Sequence, residues 1–134
     1  TSKDWVTFSL NLLGDCGEIG KFQYAPLIGP DILSGILVNT TGRSVFDFAT
    51  EYLFTPLGIE VKDKITFSSE EEQVAFLKAK DINGWVIDSC GINAAGWGLT
   101  LSTGAMAKIG QLYLNQGRWN KQQIVSKQWV IDYK

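Results

Sequence analysis

The spacing of apolar and polar residues predicts a chain built mainly of short helices. Apolar residues recur every three to four positions in Ile28–Thr41 and again in Ser44–Leu53, the period of a helix with one buried face. Gly42 stops the first run, and Gly35 inside it marks close packing against a neighbour. The expected buried faces are Ile28, Ile32, Leu33, Ile36 and Leu37, and then Val45, Phe48, Ala49, Tyr52 and Leu53.

Serines mark where the predicted helices begin. Ser44 and Asp47 have capping-box spacing, and Pro56 with Gly58 ends the helix that they begin. Shorter helices are predicted to begin at Ser68 or Ser69, at Ser102 and at Ser126. Their expected anchors are Val74, Phe76 and Leu77, then Met106, Ile109, Gly110 and Tyr113, and finally Trp129, Val130 and Tyr133.

Two short runs rich in β-forming residues interrupt the helical pattern. Trp85–Asp88 and Trp97–Leu101 flank a loop of small residues, Ser89–Gly96, and predict a β-hairpin. Glu60–Phe67 mixes polar and apolar residues without a period and is expected to be irregular, whereas Gln123–Val125 is expected to be short and extended. The fold class that follows is mainly α with a short β-hairpin.

The N-terminal segment, Thr1–Leu13, fits two structures. Ser2 or Asp4 can cap a helix there, whereas the alternation of apolar and polar residues favours a strand. The alternating apolar residues are Val6, Phe8, Leu10 and Leu12. The period alone slightly favours the strand.

Composition restricts the kind of protein that the chain can be. Its 134 residues make one domain, and 45% hydrophobic with 19% charged residues is typical of a packed globular chain. The net charge of −2, with scattered Lys and Arg, argues against nucleic acid as a partner. No apolar run approaches the ~18 residues of a membrane-spanning helix, and no signal segment is visible at Thr1. The sequence does not distinguish a cytoplasmic from an extracytoplasmic location.

The absence of histidine excludes whole classes of chemistry. Ser-His-Asp and Cys-His catalysis are both ruled out. Cys16 and Cys90 cannot complete a zinc site by themselves, so we expect no metal and no cofactor. The two cysteines either form a disulfide or, as we favour, are buried thiols.

A serine nucleophile without histidine needs a lysine base, and the chain has none at the right spacing. No serine is followed three residues later by lysine, and no Lys-Thr-Gly or Lys-Ser-Gly is present. The acidic run Glu70–Glu72 is expected to be the solvated first turn of a helix. Trp85 and Trp97 could form a substrate wall, but core packing is the favoured interpretation.

Tyr24 is the remaining candidate for catalysis. It follows a glycine-rich turn, Gly17–Gly20, and a phenol beside a cationic lysine could lose its proton and act as a proton shuttle. The alternative, which residue type alone favours, is a packed ring with its hydroxyl bonded to a loop carbonyl.

Several stretches, taken in order, resemble the serine β-lactamase-like family of penicillin-binding proteins, class C β-lactamases, esterases and amide hydrolases. Gly20-Lys21-Phe22-Gln23-Tyr24 is similar to the family's Pro-Gly-x-x-Phe-x-Tyr-Ser-Asn. The other similar stretches are Leu33–Leu37, Thr41–Ser44, Phe54–Ile59, Gly96–Ser102 and Ala107–Trp119.

The resemblance implies that residues 1–134 are the mainly helical subdomain of a larger hydrolase, with a helix at the N-terminal segment. In the family this region packs against an α/β domain, which supplies the nucleophilic Ser and Lys of S-x-x-K, the oxyanion hole and the K-T-G strand. Tyr24 matches the tyrosine of Tyr-x-Asn, which helps deprotonate the nucleophile or protonate the leaving group. Pro26 replaces that asparagine and offers neither amide nor backbone N–H, which indicates a divergent parent, such as an esterase or an inactive homologue.

The resemblance thus predicts a parent that hydrolyses a small amide or ester through an acyl-enzyme, and a chain that is inactive without the α/β domain. Two other classes are open. One is a non-catalytic binding or structural module that forms homo-oligomers through exposed apolar surface. The other is a self-sufficient carboxylate hydrolase, which needs two facing acids in a cleft.

Overall fold

The computed structural model of the chain describes residues 4–12, 20–21 and 28–132. The helices are α1 (Trp5–Leu12), α2 (Ile28–Thr41), α3 (Val45–Ala49), a π-helical turn (Thr50–Phe54), α4 (Thr55–Leu57), α5 (Glu70–Lys78), α6 (Thr103–Leu114) and α7 (Lys127–Asp132). The strands are β1 (Asp63–Ile65), β2 (Gly84–Val86), β3 (Leu99–Thr100), β4 (Arg118–Trp119) and β5 (Gln122–Gln123). The predicted fold class, mainly α with a short β element, is confirmed.

The N-terminal segment contains a helix, so the strand favoured by its alternation is wrong. Asp4 caps α1, because its carboxylate accepts the Thr7 backbone N–H at 2.9 Å and the Thr7 hydroxyl at 2.7 Å. These hydrogen bonds lower the pKa of Asp4. Packing of α1 against α2 overrides the two-residue period, and it buries Ser9 while Phe8 stays exposed.

Helix α2 has its predicted bounds, but its buried face is polar. The residues buried on it are Asp31, Ser34 and Gly35, whereas Leu33 and Ile36 are 64% and 52% exposed. A Cβ at position 35 would lie 2.7 Å from a methyl group of Val6, so close packing at Gly35 is confirmed. The prediction that Leu33 and Ile36 are buried is wrong, because α1 packs on the small-residue side of α2.

The helix that begins after Ser44 continues through Pro56 to Gly58. A proline inside a helix lacks a donor and its ring clashes with the carbonyl four residues earlier. A π-helical turn, in which the Thr55 N–H donates to the Thr50 carbonyl, directly precedes Pro56 and widens the helix there. The helix ends at Gly58 in the left-handed conformation, with φ at 60°.

This π-helical turn changes which side chains are buried. Phe54 and Leu57 are each 2% exposed, whereas Tyr52, predicted to be buried, lies half exposed. The inserted residue rotates the later part of the helix relative to α3, so an apolar stripe drawn with a strict 3.6-residue period misplaces Tyr52, whereas Leu53 is partly buried against the core.

The predicted serine caps are confirmed at all four helices. At Ser44, Ser69, Ser102 and Ser126 the hydroxyl accepts the backbone N–H three residues later, at 3.0 to 3.3 Å. The predicted anchors are confirmed less often. Val130 is fully buried, and Phe76, Ile109 and Tyr113 are partly buried. Five anchors are exposed, namely Val74, Leu77, Met106, Gly110 and Trp129, and Tyr133 lies outside the described residues.

The main sheet has β2 at its centre. β1 runs parallel and β3 antiparallel to it, so the predicted hairpin is confirmed. The irregular structure predicted for Glu60–Phe67 is wrong at β1. The Asn83 side chain holds that segment beside β2, since its amide donates to the Glu60 carbonyl at 3.0 Å and its oxygen accepts the Lys62 N–H at 3.3 Å. β4 and β5 form a second, two-stranded sheet.

The core lies between the helix of Val45 to Leu57, α6 and the main sheet. Its buried members are Val45, Phe54, Leu57, Ile59, Trp85, Ala105 and Leu112. Trp85 donates its indole N–H to the Ala94 carbonyl at 2.8 Å, which confirms the core-packing interpretation for this residue. Trp97 belongs instead to a group of rings with Trp5, Phe67 and Phe76.

Candidate functional site

Tyr24, the predicted catalytic residue, lies outside the described residues, as do Cys16 and Pro26. The described chain on either side is Lys21, which is exposed, and α2, which begins at Ile28. The described chain that follows Tyr24 in sequence starts with the first turn of α2, and α2 contacts a loop of residues 88–96, called the hub loop below.

Asp31 connects α2 to the hub loop. It is 8% exposed, and one carboxylate oxygen accepts the backbone N–H groups of Ala95 at 2.9 Å and of Gly96 at 3.1 Å. Hydrogen bonds from backbone N–H groups to a carboxylate are stronger than those between neutral groups. Asp31 thus fixes the end of the hub loop against the helix that follows Tyr24.

Asp88 organises the opposite end of the hub loop. One oxygen accepts the N–H groups of Cys90 and Ile92, each at 2.9 Å, and the other accepts the N–H of Trp5 at 3.2 Å. The last of these bonds attaches α1 to the loop. Because both oxygens already receive backbone donors, Asp88 is placed to hold structure rather than to exchange protons with a substrate.

Asn93 joins the hub loop to α3. Its side-chain oxygen accepts the backbone N–H of Phe46 at 3.0 Å, and so satisfies a donor in the first turn of α3. Its side-chain nitrogen is buried with no hydrogen-bond partner, as is the hydroxyl of Ser34 on α2. Through these contacts three helices, α1, α2 and α3, meet at one loop.

The sequence carried a signal for only part of this arrangement. Aspartate at the start of a small-residue loop is typical of a turn in which the side chain accepts the N–H two residues later, and Asp88 with Cys90 forms such a contact. The position of Asp31 in the first turn of α2 indicates no more than a favourable charge at a helix N-terminus. Its contact with Ala95 spans 64 residues and leaves no local pattern.

Cys90 is exposed, so the predicted burial of the thiols is wrong for this residue. Desolvation, followed by the nearby charges of Asp88 and Asp4, raises the pKa of the thiol. The nucleophilic form of cysteine is the thiolate, and a raised pKa makes it scarcer at neutral pH. Cys90 is therefore not placed as a nucleophile.

The acidic run at the start of α5 serves the helix, as predicted. The Glu72 carboxylate accepts the Ser68 N–H at 2.6 Å, which completes a capping arrangement with Ser69. The backbone N–H of Glu71 and the hydroxyl of Ser69 lower the pKa of Glu71. Among the described residues no group of acids and cysteines could hold a metal ion.

None of the helices in the described part of the chain is long and apolar enough to cross a membrane.

A scan of protein-family models finds no match to this chain, and a search of curated proteins finds none either.

Proposed function

We propose that this chain is the mainly helical subdomain of a serine β-lactamase-like hydrolase, whose parent cleaves a small amide or ester through an acyl-enzyme. Tyr24 is the proton shuttle of that parent. The nucleophilic serine, its lysine and the oxyanion hole belong to the partner α/β domain, because the described chain and its sequence offer no S-x-x-K.

One contact carries the proposal. Two of the family-like stretches lie about 60 positions apart in the sequence: Leu33–Leu37, which lies on α2, and Gly96–Ser102, which leads out of the hub loop into β3. Asp31, on the first turn of α2, accepts the N–H of Gly96 and thereby joins the two. Two stretches that resemble one family are in this way carried by elements that contact each other directly, and this supports the proposal.

The chemistry assigned to Tyr24 is transfer of a single proton. A phenol held beside a cationic lysine is more easily deprotonated, and it can then accept the serine proton and deliver it to the leaving group. General acid–base groups contribute roughly 10²- to 10⁴-fold to a rate. Tyr24 therefore matters for kcat more than for substrate binding.

The test is made on the parent enzyme with nitrocefin and p-nitrophenyl esters as substrates. Tyr24→Phe should lower kcat by about 10²-fold or more, whereas Tyr52→Phe, at a half-exposed position on the π-helical turn, should leave it unchanged. Equal activity of the two variants would contradict the role of Tyr24. An S-x-x-K upstream in the parent gene would decide the reaction class, and the 134-residue chain alone should show no turnover.

A second function, a non-catalytic module that self-associates, is supported by the exposed apolar side chains. They include Phe8, Leu10, Leu12, Leu33, Ile36, Val74, Leu77, Met106 and Leu114. A molecular mass that rises with concentration in light scattering, together with a parent gene that encodes no S-x-x-K, would favour this function. The carboxylate hydrolase is disfavoured, because the buried acids Asp31 and Asp88 receive backbone N–H groups.

A further inference from the structure

Within the described residues, helix α5 contacts the rest of the chain through the side that carries Phe76. Its Phe76 ring contacts Phe67 and Trp97, at centroid distances of 5.3 and 6.4 Å. The opposite side presents five exposed side chains, those of Glu70, Glu71, Val74, Ala75 and Lys78. Val74 at its middle is 41% exposed, so an apolar centre lies between charged ends.

The charges on this face are arranged so that the face complements itself. Glu70 and Glu71 lie near one end and Lys78 near the other. Val74 is four residues from Glu70 and four from Lys78, which is about 6 Å of helix in either direction. An antiparallel copy turned about a two-fold axis at Val74 therefore places its lysine opposite the two glutamates. Valine then meets valine at the axis.

We propose that this α5 face binds a second copy of the chain, as an antiparallel helix pair with its two-fold axis at Val74. Opposite charges pair at both ends, and such a symmetric interface uses the same patch on both copies. Glu72 is not part of the interface, since its carboxylate is bonded to the Ser68 N–H. Ala75 is small and lets the two helix axes approach to the usual 8–10 Å.

The pair is weak. A single pair of short helices buries less than the roughly 1,000 Å² of a stable complex, so we expect a dissociation constant on the order of 100 µM. The ion pairs are exposed and screened by salt, so the dimer should weaken as NaCl is raised from about 0.05 to 0.5 M. The inference uses only residues of α5, so it stands or falls independently of the hydrolase proposal.

A charge-swap experiment tests the interface by sedimentation equilibrium of the whole chain. Lys78→Glu puts three acids on the face, and the double change Glu70→Lys with Glu71→Lys puts three bases on it. Each variant alone should dimerise about tenfold more weakly than the natural chain. Mixed in equal amounts, the two variants should form a heterodimer, because every pairing between them joins opposite charges. Circular dichroism of each variant checks that α5 remains folded.

Controls locate the association on α5. Val74→Asp places two carboxylates together at the axis and should abolish the dimer, whereas Leu114→Asp, on the exposed side of α6, should leave the dissociation constant unchanged. A chain that stays monomeric up to about 1 mM would overturn the proposal. So would a dimer that survives Val74→Asp, or a mixture of the charge variants that stays as monomeric as each variant alone.

Discussion

At the scale of single residues, Gly35 determines how closely α1 and α2 approach. A Cβ there would lie 2.7 Å from one Val6 methyl group and 3.1 Å from the other, a contact that side chains do not make. Gly110 is a matched comparison, because it also lies inside a helix but a Cβ there would meet nothing within 4 Å. The two glycines therefore differ in surroundings rather than in backbone.

We expect Gly35→Ala to destabilise the chain by about 1–3 kcal/mol through overpacking. Gly110→Ala should stabilise it by up to about 1 kcal/mol, because alanine is the better helix former. Urea denaturation followed by circular dichroism measures both. Combining Gly35→Ala with Val6→Ala should recover part of the loss, and equal stability of the two single variants would show that α1 does not pack at Gly35.

At the scale of elements, the hub loop is held by hydrogen bonds to buried carboxylates. Asp88→Ala leaves three backbone N–H groups without their acceptor, those of Trp5, Cys90 and Ile92. Since a hydrogen bond to a charged group contributes about 1.5–3 kcal/mol and three such bonds are lost, we expect a loss of about 3 kcal/mol or more. The exposed Asp81→Ala should stay within about 0.5 kcal/mol.

Hydrogen exchange separates this effect from general destabilisation. In Asp88→Ala the amides of Cys90 and Ile92 should exchange faster than those of α6, because the hub loop opens before the core does. If amide exchange became faster by the same factor across the whole chain, Asp88 would stabilise the whole fold and have no particular role in the loop.

The elements also show what a sequence pattern can and cannot predict. The serine caps were predictable because a cap depends on residues within one turn, as at Ser44 with Asp47. The buried face of α2 cannot be predicted in this way. It depends on Val6 of α1, which packs against Gly35 and so buries the side of α2 with small and polar residues instead of Leu33. β1 was missed for the same reason, since the Asn83 side chain that holds it lies some 20 residues away in the sequence.

Contacts between residues far apart in the sequence make the candidate site even harder to predict than the helices and strands. Tyr24 was found by residue type and resemblance, which need no three-dimensional contacts. The hub loop is held by bonds between residues 64 and 83 positions apart, from Ala95 to Asp31 and from Trp5 to Asp88. No periodic pattern or short motif in the sequence indicates such bonds. The convergence of α1, α2 and α3 on one loop is therefore visible only in the folded chain.

At the scale of the whole molecule, the apolar side chains divide between a small core and a large exposed set. Leu112 is 1% exposed within the core, whereas Leu33 and Ile36 on α2 face outward. If the chain is the helical subdomain of a larger hydrolase, an α/β domain covers surface of this kind in the parent. Substitutions there should then have opposite consequences in the chain and in the parent.

The double change Leu33→Gln with Ile36→Gln tests this. In the 134-residue chain it should alter the free energy of unfolding by less than about 1 kcal/mol and reduce binding of the dye ANS, because exposed positions contribute little. In the parent it should lower the melting temperature and the activity, because polar groups would be buried at the domain interface without partners. Leu112→Ala is the control, with an expected loss of about 2–5 kcal/mol in the chain itself. A parent that tolerates the double change as well as the chain does would mean that the α/β domain docks elsewhere.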